Sequence, residues 1–171
     1  VYLPNSIEFE VAYYGISRAG GVMSPMNPMF KEREVEFQAA DSEAVGIVCL
    51  NKLYPIVKKT VEGGKTKLEW VAVVGEKQPD TYSFSEWLEK YPPSPPKHVY
   101  DVKEDLAVLP YTAGTTGLPK GVMLTHYNIV TNMLQIAVAF EIHENDVCLT
   151  VLPLYHIYAL NVTMGPAVYV G

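Results

Sequence analysis

Two apolar runs constrain this chain more than anything else in it. Residues 45–50 (V-G-I-V-C-L) and 68–74 (L-E-W-V-A-V-V) are nearly continuous in apolar side chains. A run of that length without polar alternation reads as a strand buried on both faces. Between them, residues 54–61 have the length and spacing of a helix, and Gly63-Gly64 makes a turn. Strand, helix, strand in this order implies parallel pairing through a right-handed crossover. Residues 1–3 and 22–26 add short strands around a further helix, in which Phe9, Ala12, Tyr13, Ile16 and Ala19 recur at helical spacing. Asn5 is placed to cap that helix, with Glu8 at the capping-box position and Gly20-Gly21 as its stop. Residues 31–40 read as a polar helix with few core contacts. The expected fold class is therefore α/β: a layered, mostly parallel sheet with flanking helices.

The second half is organised differently. Residues 90–97 contain Y-P-P-S-P-P, a stiff connection that is neither helix nor inner strand. Residues 106–111 and 122–125 read as strands, Thr125 caps a helix running to about residue 140, and residues 147–152 read as another strand. A last helix is expected from His156 onward, and V-Y-V at 168–170 reads as the start of a further strand. This divides the chain into a first α/β portion (1–90), a proline-rich connection (91–105) and a final portion (106–171). Because it opens on Val1 within a strand-like segment, the chain reads as an internal piece of a larger protein.

Residues 111–121, Y-T-A-G-T-T-G-L-P-K-G, carry the most chemistry. Glycines allow backbone N–H groups to converge on an anion, threonine hydroxyls add rotatable donors, and Lys120 adds a full positive charge. That combination suits a polyphosphate. It is not a Walker A loop, which needs glycine directly before Lys-Ser/Thr at a helix mouth. Here Pro119 precedes Lys120, and the flanks are strand-like, so a strand–loop–strand clamp is expected.

Composition narrows the partners. The chain has 171 residues, 49% hydrophobic and 19% charged, which is ordinary for a globular domain. A net charge of −6 argues against nucleic acid. The apolar stretch at 147–171 is broken by Pro153, His156, Asn161 and Gly165-Pro166, so no membrane span is expected, and the opening carries no signal-peptide pattern. Cys49 and Cys148 both sit in strand-like runs and read as buried thiols in a reducing, cytoplasmic setting. His98 and His143 read as surface residues, and His126 as part of a helix N-terminus. His156 stands among Tyr155, Ile157 and Tyr158 at a strand-to-helix junction, where α/β sheets meet ligands.

Y-T-A-G-T-T-G-L-P-K-G followed by V-M-L-T-H resembles the signature loop of the adenylate-forming enzymes, which include acyl-CoA synthetases, 4-coumarate–CoA ligases, luciferases and nonribosomal-peptide adenylation domains. L-P-N-S-I-E-F at 3–9 with G-G-V-M-S-P-M-N-P at 20–28, and P-L-Y-H-I-Y at 153–158, are similar to further motifs of acyl- and aryl-CoA ligases. The resemblance implies an ATP-dependent acid–CoA ligase that makes an acyl-adenylate, releases pyrophosphate, and then forms a thioester. It implies ATP and CoA as small-molecule partners beside a carboxylic acid of apolar character, and magnesium as cofactor with its ligand outside these residues.

On the same basis, Thr115, Thr116 and Lys120 would contact the phosphates, with Thr112 and the Gly114 and Gly117 backbone completing the cradle. Lys120 and His156 become the catalytic candidates, and Tyr155, His156 and Tyr158 the walls of the acyl pocket. Ala113 replaces the family's usual serine; one lost hydroxyl bond costs about 0.5–1.5 kcal/mol. The family's magnesium-binding glutamate, ribose-binding aspartate and C-terminal-domain lysine have no counterpart in these residues, so the piece alone is expected to be inactive. The resemblance leaves room for a homodimer of the parent protein. A luciferase-like or carrier-loading enzyme, or a non-catalytic nucleotide- or partner-binding protein keeping the fold, shares the same segments.

Overall fold

A computed structural model of the chain describes residues 1–92, 94, 97–112 and 117–171. In chain order the elements are α1 (Ile7–Arg18), α2 (Glu32–Asp41), β1 (Gly46–Leu50), α3 (Tyr54–Glu62), β2 (Trp70–Val74), β3 (Tyr82–Ser83), α4 (Phe84–Lys90), β4 (Leu106–Val108), β5 (Tyr111–Thr112), β6 (Lys120–Gly121), β7 (Leu124–Thr125), α5 (His126–Ala139), a π-helical segment (Ala159–Met164) and α6 (Gly165–Val170).

The two apolar runs form the expected parallel pair. β1 and β2 run in register from Gly46 opposite Trp70 to Leu50 opposite Val74, and β3 adds in parallel beside β2. Tyr2 bridges in parallel to Cys49 on the other side of β1. Alternation along these strands explains why no polar residue interrupts them. Val48, Ala72 and Val74 enter one core with Phe9, Tyr13, Leu154 and Leu160. Ile47, Cys49, Val71 and Val73 point to the opposite face and enter a second core with Val35, Ala39 and Val57. Helices thus cover both faces, and each fully buried large side chain contributes about 1.5–3 kcal/mol. Gly46 is required by close approach: a Cβ there would fall inside the indole of Trp70, its register partner.

The helix stops and starts follow local chemistry. α1 ends in a Schellman arrangement, with Gly21 N–H bonded to Ile16 C=O and Gly20 N–H to Ser17 C=O, and Gly20 at φ 81°. α5 opens on a reciprocal capping box in which Asn128 N–H reaches Thr125 Oγ1 at 3.2 Å and Thr125 N–H reaches Asn128 Oδ1 at 3.0 Å.

Several expectations are corrected. Ser6, not Asn5, caps α1, accepting from Phe9 N–H at 3.2 Å; Asn5 is engaged elsewhere. α2 is polar as expected but makes more core contact than expected, because it buries Val35, Gln38 and Ala39. Residues 1–3 and 22–26 contribute single bridges, at Tyr2 and Met23, rather than strands. Residues 147–152 are not a strand, and Val147, Leu149 and Val151 are exposed. An apolar run becomes a strand only beside a neighbour that completes its ladder, and none among the described residues flanks it. Cys148 lies in this run and is exposed, whereas Cys49 is buried. Residues 168–170 are helical, because Pro166 sits in the first turn of α6, where its fixed φ favours the helix.

Candidate active site

The glycine- and threonine-rich run is carried on a hairpin, as its flanks suggested. β5 and β6 are antiparallel, with Tyr111 opposite Gly121 and Thr112 opposite Lys120. Below them Val122 N–H bonds Pro110 C=O at 2.8 Å, and β4 pairs with β7 across a register shift. Leu109 N–H bonds Met23 C=O at 2.9 Å, joining the hairpin base to the first portion of the chain. Thr112, Gly117 and Lys120 are all exposed at or beyond the stem. Gly114, Thr115 and Thr116 lie outside the described residues.

The stem leans on α2. Tyr111 packs edge-on against Phe37 at 6.4 Å, and its hydroxyl donates to Asp41 Oδ2 at 2.5 Å. Burial, reinforced by the Asp41 carboxylate, pushes the phenol of Tyr111 well above its ordinary range. One turn earlier, buried Gln38 donates through Nε2 to Ser24 Oγ at 2.8 Å and Pro25 C=O at 2.9 Å. Ser24 Oγ in turn donates to Leu109 C=O at 2.9 Å.

The facing wall comes from the turn after the exposed run. His156 N–H bonds Pro153 C=O at 3.0 Å, and His156 C=O accepts from Leu160 N–H at 3.1 Å. His156 Nδ1 accepts from Tyr158 N–H at 3.2 Å, which leaves the imidazole proton of the neutral ring on Nε2. The π-helical segment follows directly, locked to α5 by buried Asn161, whose Nδ2 donates to Asn132 Oδ1 at 2.8 Å.

Between hairpin and turn lies a cavity of 530 Å³ that brings together Tyr111, Thr112, Tyr155 and His156, with Phe30, Val122, Leu124 and Ile157 as apolar lining. A second hollow of 790 Å³ lies against the same stem, lined by Arg33, Asp41, Lys65, Leu118 and Pro119 among others. Tyr158 is 52% exposed and is not part of the wall of either.

Residues 1–171 match the model of the AMP-binding enzyme family over their whole length. The chain belongs to the AMP-binding enzymes. It is 37% identical to 4-coumarate–CoA ligase 1 of Solanum tuberosum, covering 100% of this chain and 31% of that protein. To the long-chain-fatty-acid–CoA ligase of Bacillus subtilis it is 30% identical, covering 100% and 35%. Among solved structures it superimposes on a long-chain-fatty-acid–CoA ligase from Archaeoglobus fulgidus with a TM-score of 0.85 and 37% identity, over 94% of this chain and 31% of that one. The chain thus spans about a third of the length of the curated relatives it matches.

Within this AMP-binding enzyme, three residues shape the site without having been legible as site residues. Asn5, Gln38 and Asp41 each act across the fold rather than locally. A polar side chain inside the apolar spacing of α2 was the available signal for Gln38; Asn5 and Asp41 offered none. His126 is structural: it opens α5, packs against Tyr100 with ring centroids 4.5 Å apart and the planes inclined by 54°, and its pKa is lowered by burial. Among the described residues no group of three or more His, Cys, Asp or Glu side chains could hold a metal ion. No helix described is long and apolar enough to cross a membrane.

Proposed function

We propose that the protein containing this chain is an ATP-dependent acid–CoA ligase acting on an apolar carboxylic acid. The carrying observation is that the stem of the Thr112–Lys120 hairpin and the Tyr155–His156 turn wall one cavity. A carboxylate resists attack by a thiol, because its charge repels nucleophiles and its oxygen leaves poorly. In the proposed first step a carboxylate oxygen attacks the α-phosphorus of ATP, and the bond to the β-phosphate oxygen breaks, releasing pyrophosphate. In the second, the thiol sulfur of CoA attacks the acyl carbon, its proton is lost, and AMP departs.

Charge accumulates on the leaving pyrophosphate, where pre-placed donors and cations act most strongly. Thr112, Thr115, Thr116, Lys120 and the backbone of Gly114 and Gly117 are assigned to that end. Tyr155 and His156 are assigned to the carboxylate end, with Nε2–H of His156 available as a donor. Orientation of the two reactants across the cavity supplies the remainder. The apolar lining by Phe30, Val122, Leu124 and Ile157 supports an acid with an aryl or aliphatic body. Free Cys49 and Cys148 support a reducing, cytoplasmic setting.

ATP–pyrophosphate exchange by the full-length protein, with coumarate, palmitate, acetate and an amino acid in parallel, tests this reading. Exchange with coumarate or palmitate, followed by thioester formation with CoA, is expected. Exchange restricted to the amino acid, or none with any acid, would overturn it.

A further inference from the structure

Asn5 makes an unusual pair of bonds for an exposed asparagine near a helix start. Its Nδ2 donates to Leu152 C=O at 2.8 Å, and its Oδ1 accepts from Leu154 N–H at 2.7 Å, across 147 and 149 residues of sequence. The two backbone groups flank Pro153, which has no N–H of its own to satisfy. A donor and an acceptor two residues apart on one edge are what a neighbouring strand would engage, and the planar side-chain amide takes that strand's place. An aspartate at position 5 could accept from Leu154 but would face Leu152 C=O with a second acceptor. A glutamine would carry its amide one methylene too far.

What these bonds hold is the turn that presents His156. Pro153 C=O accepts from His156 N–H at 3.0 Å, so the segment fixed at residues 152 and 154 is the first half of that turn. Upstream, residues 147–152 have no strand partner among the described residues and are largely exposed. Downstream, Ala159 and Leu160 are buried and anchor the other end.

We propose that Asn5 is a positioning residue that sets His156 against the cavity. It acts through the backbone around Pro153 and does not touch the reacting groups. The proposal rests on the reading of His156 as a group near the carboxylate, so its test includes measurements independent of catalysis.

In the full-length protein, Asn5→Ala and Asn5→Asp are compared with Ser6→Ala, which removes the neighbouring α1 cap but neither bond to residues 152–154. Asn5→Ala should raise amide hydrogen exchange at Leu154, Asn5→Asp should raise it less because it keeps that acceptor, and both should alter the rate of His156 carbethoxylation by diethylpyrocarbonate; Ser6→Ala should do neither. In pyrophosphate exchange, Asn5→Ala should lower kcat about tenfold, equivalent to two modest hydrogen bonds, with KM for ATP unchanged. On a His156→Ala background the same substitution should add less than about twofold, because residues acting through one group are not additive.

Equal effects of Ser6→Ala and Asn5→Ala on Leu154 and His156, or full multiplicativity with His156→Ala, would overturn the proposal. If the wild-type protein shows no exchange with any acid, the ligase reading fails; the Leu154 and His156 measurements still decide whether Asn5 positions the turn.

Discussion

Tyr111 donates its phenolic proton to Asp41 across 70 residues of sequence, at 2.5 Å, and so ties the hairpin stem to the C-terminal end of α2. Asp41 is oddly placed for a helix. Carboxylates at a C-terminus cost about 0.3–1 kcal/mol, and the last turn of α2 carries no basic residue to offset this. A hydrogen bond to a charged acceptor contributes about 1.5–3 kcal/mol when shielded, and less at a partly solvated site such as this.

Tyr111→Phe should therefore lower stability by about 0.5–1 kcal/mol in urea denaturation while keeping the contact with Phe37. Asp41→Asn should be nearly neutral, since it retains an acceptor and removes the unfavourable charge; Asp41→Ala, which loses the bond but also the charge, should cost less than Tyr111→Phe. The folded-state pKa of Tyr111 is raised above 10.0, so its contribution is complete below that pH and is lost as pH rises through the raised value. The alkaline loss of stability should be shallower in Tyr111→Phe than in wild type. Equal alkaline limbs in both proteins would count against the strut.

Lys120 separates the two half-reactions of the proposed ligase. Lys120→Ala should slow adenylation by about 2–4 kcal/mol in activation free energy, the range for removing one pre-placed charge stabiliser. Thioester formation from pre-made acyl-adenylate should change little, because no pyrophosphate remains to be held. Stopped-flow measurement of each half-reaction checks this, and equal losses in both would make the hairpin structural.

Gly46→Ala should destabilise the sheet by about 1–3 kcal/mol, the usual range for overpacking. The added methyl group must displace the indole of Trp70, which stacks edge-on against Trp87 at 5.7 Å. A shift in tryptophan emission should accompany the lower melting temperature. Unchanged emission with unchanged stability would show that β1 and β2 are not in the register described.

Cys49 should resist maleimide at pH 8 until the protein unfolds, because it is wholly buried and burial pushes its thiol up to about 12. Its folded pKa exceeds the ordinary 9.0, so the associated stability is intact below pH 9 and is lost as pH rises toward 12. Cys49→Ala should remove part of that alkaline loss, at the expense of a small cavity. Mass-spectrometric labelling of the wild-type protein reads the first effect, and urea denaturation of both proteins against pH reads the second.

What was legible in the sequence was whatever local chemistry decides. The doubly buried strands, the glycine stop after α1, the Thr125 cap and the hairpin around the glycine-rich run are each set within a few residues. What was not legible depended on distant partners. Asn5 satisfies the local pattern of a cap, yet two bonds to residues 152 and 154 recruit it and leave Ser6 to do the capping. Residues 147–152 have strand composition but no ladder to join among the described residues. Valine-rich residues 168–170 turn helical because Pro166 and the preceding π-helical segment hand them a helix already begun. The cavity itself combines segments near residues 30, 111 and 156, a meeting no local pattern announces.

The span closed by Asn5 also has a temporal meaning. Leu154 is synthesised 149 residues after Asn5, an interval of about 7–30 s at ordinary elongation rates. Throughout it, Phe9 and Tyr13 on α1 lack the Leu154 and Leu160 side chains that complete their core. During that interval α1 presents Phe9 and Tyr13 without the share of their core that residues 154–160 supply, so this face of the helix stays apolar and only partly covered until the turn before His156 has been made.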